Sequence, residues 1–136
     1  MSIKMKMKDI IKFGETPLDM KKFTPKMNLA IAINAAAAEP ILKGYNESYR
    51  NLMDEYLEKD EEGEPIIIEE GDQKFYKFTD VKAFEEAYNE MLEEDVELTV
   101  KTFKEAEIVK CGEKEGLDIP TVAELAAMMF MIEFKE

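Results

Sequence analysis

Apolar residues recur at alternating steps of four and three along residues 31–56. Ile31, Ala35, Ala38, Leu42, Tyr45, Tyr49, Leu52 and Tyr56 hold that rhythm without a break, and Val81, Phe84, Tyr88 and Met91 repeat it. Such spacing lines side chains along one stripe of a helix, and two stripes bury one another. The pattern predicts a long helix paired antiparallel with a shorter one. Thr24-Pro25 marks the start, because Thr caps free N–H groups and Pro lacks the N–H that would go unbonded there. The helix is expected to reach about Lys59. Pro40 removes one helical bond, so a kink is expected near Ala36–Glu39.

Elsewhere the period is two. Ile3, Met5 and Met7 alternate with Lys4, Lys6 and Lys8, as in a half-buried edge strand. Val96, Leu98 and Val100 alternate with Glu97, Thr99 and Lys101, a natural antiparallel partner that sets Glu97 and Lys101 across from the N-terminal lysines. Asp9 to Gly14 suggests a turn of helix, and Gly14 with Pro17 a loop. Ile66-Ile67-Ile68, the turn Glu70-Gly71-Asp72 and Lys74–Phe78 read as a β-hairpin, whose aromatics need a surface to lie on. Asp80 or Thr79 caps the second helix, over Val81–Glu94. Phe103–Cys111 reads equally as a short helix or a continuing strand. Thr121 and Glu124 have capping-box spacing and open a last helix through Phe134, apolar almost all round.

The expected architecture is α+β. It has a long kinked helix paired with a shorter one, a β-hairpin at their tip, a small antiparallel sheet and an apolar C-terminal helix. With 136 residues, a single domain is expected. Residues 1–23 would form its N-terminal strand and loop, 24–94 the helical hairpin with inserted β-hairpin, and 95–136 a strand and the final helix.

Charge changes this picture more than composition does. The net charge is −13. Residues 1–28 hold seven Lys against Asp9, Glu15 and Asp19, whereas residues 54–98 hold 18 acidic and 4 basic side chains. Such a field repels nucleic acid and anionic membranes and favours basic partners. The chain has no His and a single cysteine, Cys111. The usual neutral-pH base and any cysteine-cluster metal site are therefore missing. A lone thiol fits a reducing compartment, and neither a signal-peptide run nor a membrane span is visible. No catalytic, metal or phosphate motif stands out. The acidic run from Asp54 to Glu64 does not match a calcium loop, because Gly63 is out of register. No cofactor, no metal and no enzymatic activity are expected. Tyr45, Tyr49 and Tyr56 read as seam packing with hydroxyls at the rim.

Several parts also resemble a loose group of small proteins from tailed phages and prophages of Gram-positive hosts. The matching segments are Glu58-Lys-Asp60-Glu-Glu-Gly63-Glu-Pro65, Phe84 to Tyr88, Val96-Glu-Leu98 and Leu125 to Glu133, within residues 40–136. The alanine-rich stretch 30–38 departs from that pattern. The group carries no agreed activity, so no functional residue transfers. The resemblance implies a phage context, the host bacterial cytoplasm, and a role in virion assembly or against host defences.

Two candidate surfaces follow. One is acidic: Glu58, Asp60, Glu61, Glu62, Glu64, Glu69 and Glu70. The other is apolar: Met128, Met129, Phe130 and Met131. The expectation is a non-enzymatic interaction protein with a protein partner, basic in character, and an accessory or assembly role. The alternative is an acidic anti-defence inhibitor filling a basic nucleic-acid groove of a host protein. Homodimerisation is expected from the surplus of apolar stripe, and direct nucleic-acid or membrane binding is not.

Overall fold

The computed structural model describes residues 2–134 and is α+β. In chain order the elements are β1 (Ser2–Lys6), α1 (Met7–Glu15), α2 (Pro25–Tyr56), β2 (Ile67–Glu70), β3 (Gln73–Tyr76) and α3 (Val81–Leu92). Then come β4 (Asp95–Thr99), β5 (Phe103–Lys104), α4 (Glu105–Glu113), α5 (Val122–Met128) and β6 (Ile132–Glu133). Short 3-10 turns occupy Met20–Lys22 and Met129–Met131. The chain divides into two compact units. One holds the described residues up to Leu42 and from Asp95 onward, and the other is Lys43–Glu94.

The first unit contains the fully buried core. β1 and β4 pair antiparallel with Lys4 opposite Glu97 and Met5 opposite Val96. Lys6 reaches Asp95 at 3.6 Å, so the lysine face is partly neutralised by the strand beside it. Lys101 lies beyond this ladder. β1 ends at Lys6 because the apolar step changes there from two to three. Met7, Ile10 and Phe13 are the buried face of α1. Met7 therefore opens a helix instead of closing a strand.

α2 starts where Thr24 and Pro25 indicated: the Met27 N–H donates to Thr24 Oγ1 at 3.3 Å. The helix runs on through Pro40. Its first half buries Met27, Ala30, Ile31, Asn34 and Ala38. Asn34 brackets Lys101, donating from Nδ2 to its carbonyl and accepting its N–H at Oδ1, both at 2.8 Å. Gly14 lies against Leu42, where an added Cβ would stand 2.7 Å from Cδ1.

Both readings of residues 103–111 hold in part: β5 is two residues long and α4 follows it directly. The capping box of Thr121 and Glu124 is formed. The last helix, however, stops at Met128, six residues short of Phe134. Its continuation tightens to a 3-10 turn, and Ile132–Glu133 then pairs parallel with Phe103–Lys104. Phe103 and Ile132 are both buried, so the ladder satisfies backbone groups inside an apolar setting.

The second unit, Lys43–Glu94, holds the later part of α2, the β2–β3 hairpin and α3. No residue in it is fully buried. α3 is capped by Asp80, whose Oδ1 accepts the Ala83 N–H at 3.1 Å. Tyr45 meets Tyr88 hydroxyl to hydroxyl at 3.2 Å, and Tyr49 meets the Tyr88 ring at 5.5 Å. Tyr56 and Phe84 lie 6.2 Å apart by ring centre. Rising numbers on α2 meet falling numbers on α3, so the two stretches pair antiparallel. The long stripe is thus divided. Tyr45, Tyr49 and Tyr56 face α3, whereas Ile31, Ala35, Ala38 and Leu42 line a hollow of about 330 Å³ with Phe13 and Leu18.

Candidate functional site

Charge separates the two units sharply. Residues 43–94 carry 17 acidic and 6 basic side chains, a net of −11 out of −13. Within them, α2 gives way to an irregular strand at Leu57–Lys59 that feeds both arms of the hairpin. Glu58 N–H donates to the Lys77 carbonyl at 2.8 Å, and the Glu58 carbonyl accepts from Ile66 at 2.9 Å. The turn that follows is built by Asp60. Its Oδ1 accepts the N–H groups of Glu62 and Glu64 at 2.9 and 3.0 Å, and Gly63 has φ of +84°. A side chain at position 63 would be strained, which explains the glycine.

The expected acidic residues therefore divide by task. Asp60 shapes the turn. Glu58 pairs with Lys77 at 3.1 Å, and Glu69 lies 3.7 Å from Lys74. Glu61, Glu62, Glu64 and Glu70 are exposed and extend the negative field into solvent. Lys59 pairs with Asp54 at the end of α2.

The apolar candidates fall differently. Met128 and Met131 are fully buried in the core of the first unit. Phe130 packs edge-on against Phe13 at 5.1 Å. Only Met129 is well exposed, at 51%. Met128 and Met131 thus belong to the core and Phe130 is half-buried, because the helix ends early and its 3-10 turn folds them inward. Met129 and Phe130 do border a shallow groove of about 560 Å³ with Ile3, Lys4, Lys12 and Ala126.

A surface that the hydropathy pattern did not single out lies on the hairpin. All eight residues of β2 and β3 are exposed. Ile67, Ile68, Phe75 and Tyr76 are 55%, 41%, 47% and 51% accessible. They form two cross-strand pairs, Ile67 with Tyr76 and Ile68 with Phe75, and successive pairs point to opposite faces. Their signal in the sequence was the mismatch between apolar content and strand length. Four-residue strands cannot wrap around anything large enough to cover both faces.

The buried ionisable groups are in the first unit. Burial alone would raise the pKa of Glu124, but the Lys22 ammonium and the N–H groups of Thr121 and Asp19 outweigh it and hold the carboxyl at about 2. Glu107 is held below the usual carboxylate range by its hydrogen bond from Lys110, against the opposing effect of burial. Glu124 binds the Asp19–Lys22 segment to the start of α5, whereas Glu107, bonded within α4 to Lys110, borders a shallow groove of about 420 Å³ with Lys26, Leu29 and Phe103. Cys111 is fully buried with its Sγ 3.4 Å from Met27 Sδ. Among the described residues, no group of three or more His, Cys, Asp or Glu is placed to hold a metal ion, and no helix is long and apolar enough to cross a membrane.

No protein-family model, no curated protein and no solved structure matches this chain.

Proposed function

We propose that this chain is a non-enzymatic interaction protein of phage or prophage origin, and that its unit 43–94 engages a basic protein partner in an accessory or virion-assembly role. The supporting observation is the concentration of charge. A net −11 sits on 52 residues, none fully buried, so their carboxylates and exposed apolar side chains are presented to solvent together. Charged rims steer a partner and suppress wrong ones, while exposed Ile and aromatic side chains supply the area that becomes desolvated. The potential also disfavours direct contact with nucleic acid.

The test is capture from lysate of an infected bacterial host, read by mass spectrometry at two salt concentrations. A basic protein retained at about 50 mM salt and lost at about 500 mM is expected, since exposed charges more than a few ångströms apart are screened at the higher value. The triple charge reversal Glu61→Lys, Glu62→Lys and Glu64→Lys is expected to remove it. Capture that ignores both salt and charge reversal would overturn the reading. A second reading, an anti-defence inhibitor in a basic nucleic-acid groove, draws on the same negative field. It predicts that duplex DNA or RNA displaces the chain from the captured partner, whereas an assembly partner is not displaced.

A further inference from the structure

Among the described residues, both edges of the hairpin are unpaired, and their chemistry differs. Lys77 N–H donates to the Ile66 carbonyl at 2.9 Å, which sets the phase of the antiparallel ladder. From that phase, Ile68 with Phe75 and Glu70 with Gln73 are the pairs that exchange bonds. Ile67 and Glu69 then direct their N–H and C=O groups away from β3. Among the described residues, no backbone bond outside the ladder engages either of them. Lys74 and Tyr76 do the same on the opposite edge. Natural edges are ordinarily blunted by lysines, prolines or bulges. The β3 edge has Lys74, whereas the β2 edge has only Ile67 and Glu69.

Side-chain order along β2 narrows the occupant. Ile67 and Glu69 share one face, and Ile68 and Glu70 share the other. A strand laid along this edge therefore meets isoleucine at two successive positions and carboxylate at the next two. β3 already supplies that complement on the inner side. Tyr76 and Phe75 stand opposite Ile67 and Ile68, and Lys74 and Gln73 stand opposite Glu69 and Glu70. A second copy of β2 is a poor occupant, because in antiparallel pairing centred on the carboxylates Glu69 and Glu70 would oppose their own kind.

We infer that the β2 edge accepts an extended segment of a partner protein with two consecutive apolar residues followed or preceded by two consecutive basic ones, added as a third strand. This deepens the interaction reading above and rests on it. Main-chain bonds to Ile67 and Glu69 supply the affinity, and the paired apolar and paired basic positions supply the choice of partner.

The experiment uses the full chain and two synthetic, acetylated and amidated peptides of identical composition. One presents Lys-Lys-Val-Val between threonines and the other Lys-Val-Lys-Val, each with a terminal dye for fluorescence anisotropy. The block peptide is expected to bind at least about tenfold more tightly, since only it matches both faces. Ile67→Pro removes an outward N–H without touching a ladder bond and is expected to weaken binding by about tenfold, while Tyr76→Pro on the other edge leaves it within about twofold. N-methylation of alternate peptide residues gives a check that leaves the protein untouched. One phase of methylation abolishes binding and the other does not. Equal binding of the two peptides, or insensitivity to both methylation phases, overturns strand addition. If those outcomes coincide with salt-sensitive capture of a basic protein from lysate, the interaction reading stands and only its mode falls. If no peptide binds at about 50 mM salt, this inference falls by itself, and the lysate capture judges the broader reading independently.

Discussion

Asn34 is the most exacting residue of the first unit. It is completely buried, and its amide reads both backbone groups of Lys101 at 2.8 Å, with Met131 Sδ a further 3.5 Å neighbour of Nδ2. Replacement by Leu keeps the branching and heavy-atom count but leaves the Lys101 N–H and carbonyl without that partner. A loss of about 2–3 kcal/mol is expected in urea unfolding, the cost of stranding buried polar groups. Glu124 is the second such residue. Its carboxyl is held at about 2 against an ordinary value of 4.5, so the folded state binds its proton less readily than the unfolded chain. The stability it contributes is complete above about pH 4.5 and is lost as pH falls toward 2. Glu107 acts in the same direction. Unfolding monitored between pH 6 and about pH 2.5 is expected to show a steep decline that Glu124→Gln makes shallower, while lowering stability at pH 6. An unchanged slope in that variant would place the acid sensitivity elsewhere.

At the scale of elements, α3 depends on half-buried aromatics rather than on a sealed core. Phe84 is the centre of that set, with ring centres 4.7 Å from Phe78, 6.0 Å from Tyr88 and 6.2 Å from Tyr56. Phe84→Ala is expected to cost about 2 kcal/mol, less than truncation in a closed core because part of the ring surface is already wet. The readout is unusually clean. The chain has no Trp, and its five tyrosines, at 45, 49, 56, 76 and 88, all lie in 43–94. Tyrosine fluorescence therefore follows the unfolding of that unit alone. A shift in its transition in Phe84→Ala, with little change in the far-ultraviolet signal of the other elements, is the expected result.

At the scale of the whole molecule, the two units differ in what holds them. One buries Ile10, Met27, Met128 and Met131 fully, and the other buries nothing fully. Regions with few buried contacts open at lower free-energy cost. Amide exchange is expected to be at least about tenfold faster in α3 than in the first half of α2. The tyrosine transition in urea is likewise expected to precede the loss of helical signal. Coincident transitions with uniform protection would show one cooperative unit instead. Repulsion among the carboxylates of residues 43–94 is expected to add to that softness.

Local periodicity determined a large share of this protein. The start of α2 at Thr24-Pro25, the antiparallel match of β1 with β4, the hairpin, the cap at Asp80 and the capping box at Thr121 are all short-range preferences, and each survives folding because tertiary packing agrees with it. The concentration of acid in residues 43–94 is also read from the sequence, since charge needs no fold to be counted. Tertiary structure alone decided the rest. It divided a uniform stripe between two sets of neighbours at Leu42, because a 3–4 rhythm states that one side is buried but not against what. It ended the last helix at Met128, because a parallel ladder between Phe103 and Ile132 satisfies backbone groups that a continuing helix would have used within itself. It also left all eight residues of β2 and β3 exposed, because exposure is set by what lies nearby in space, and a run of isoleucines looks the same whether something covers it or not.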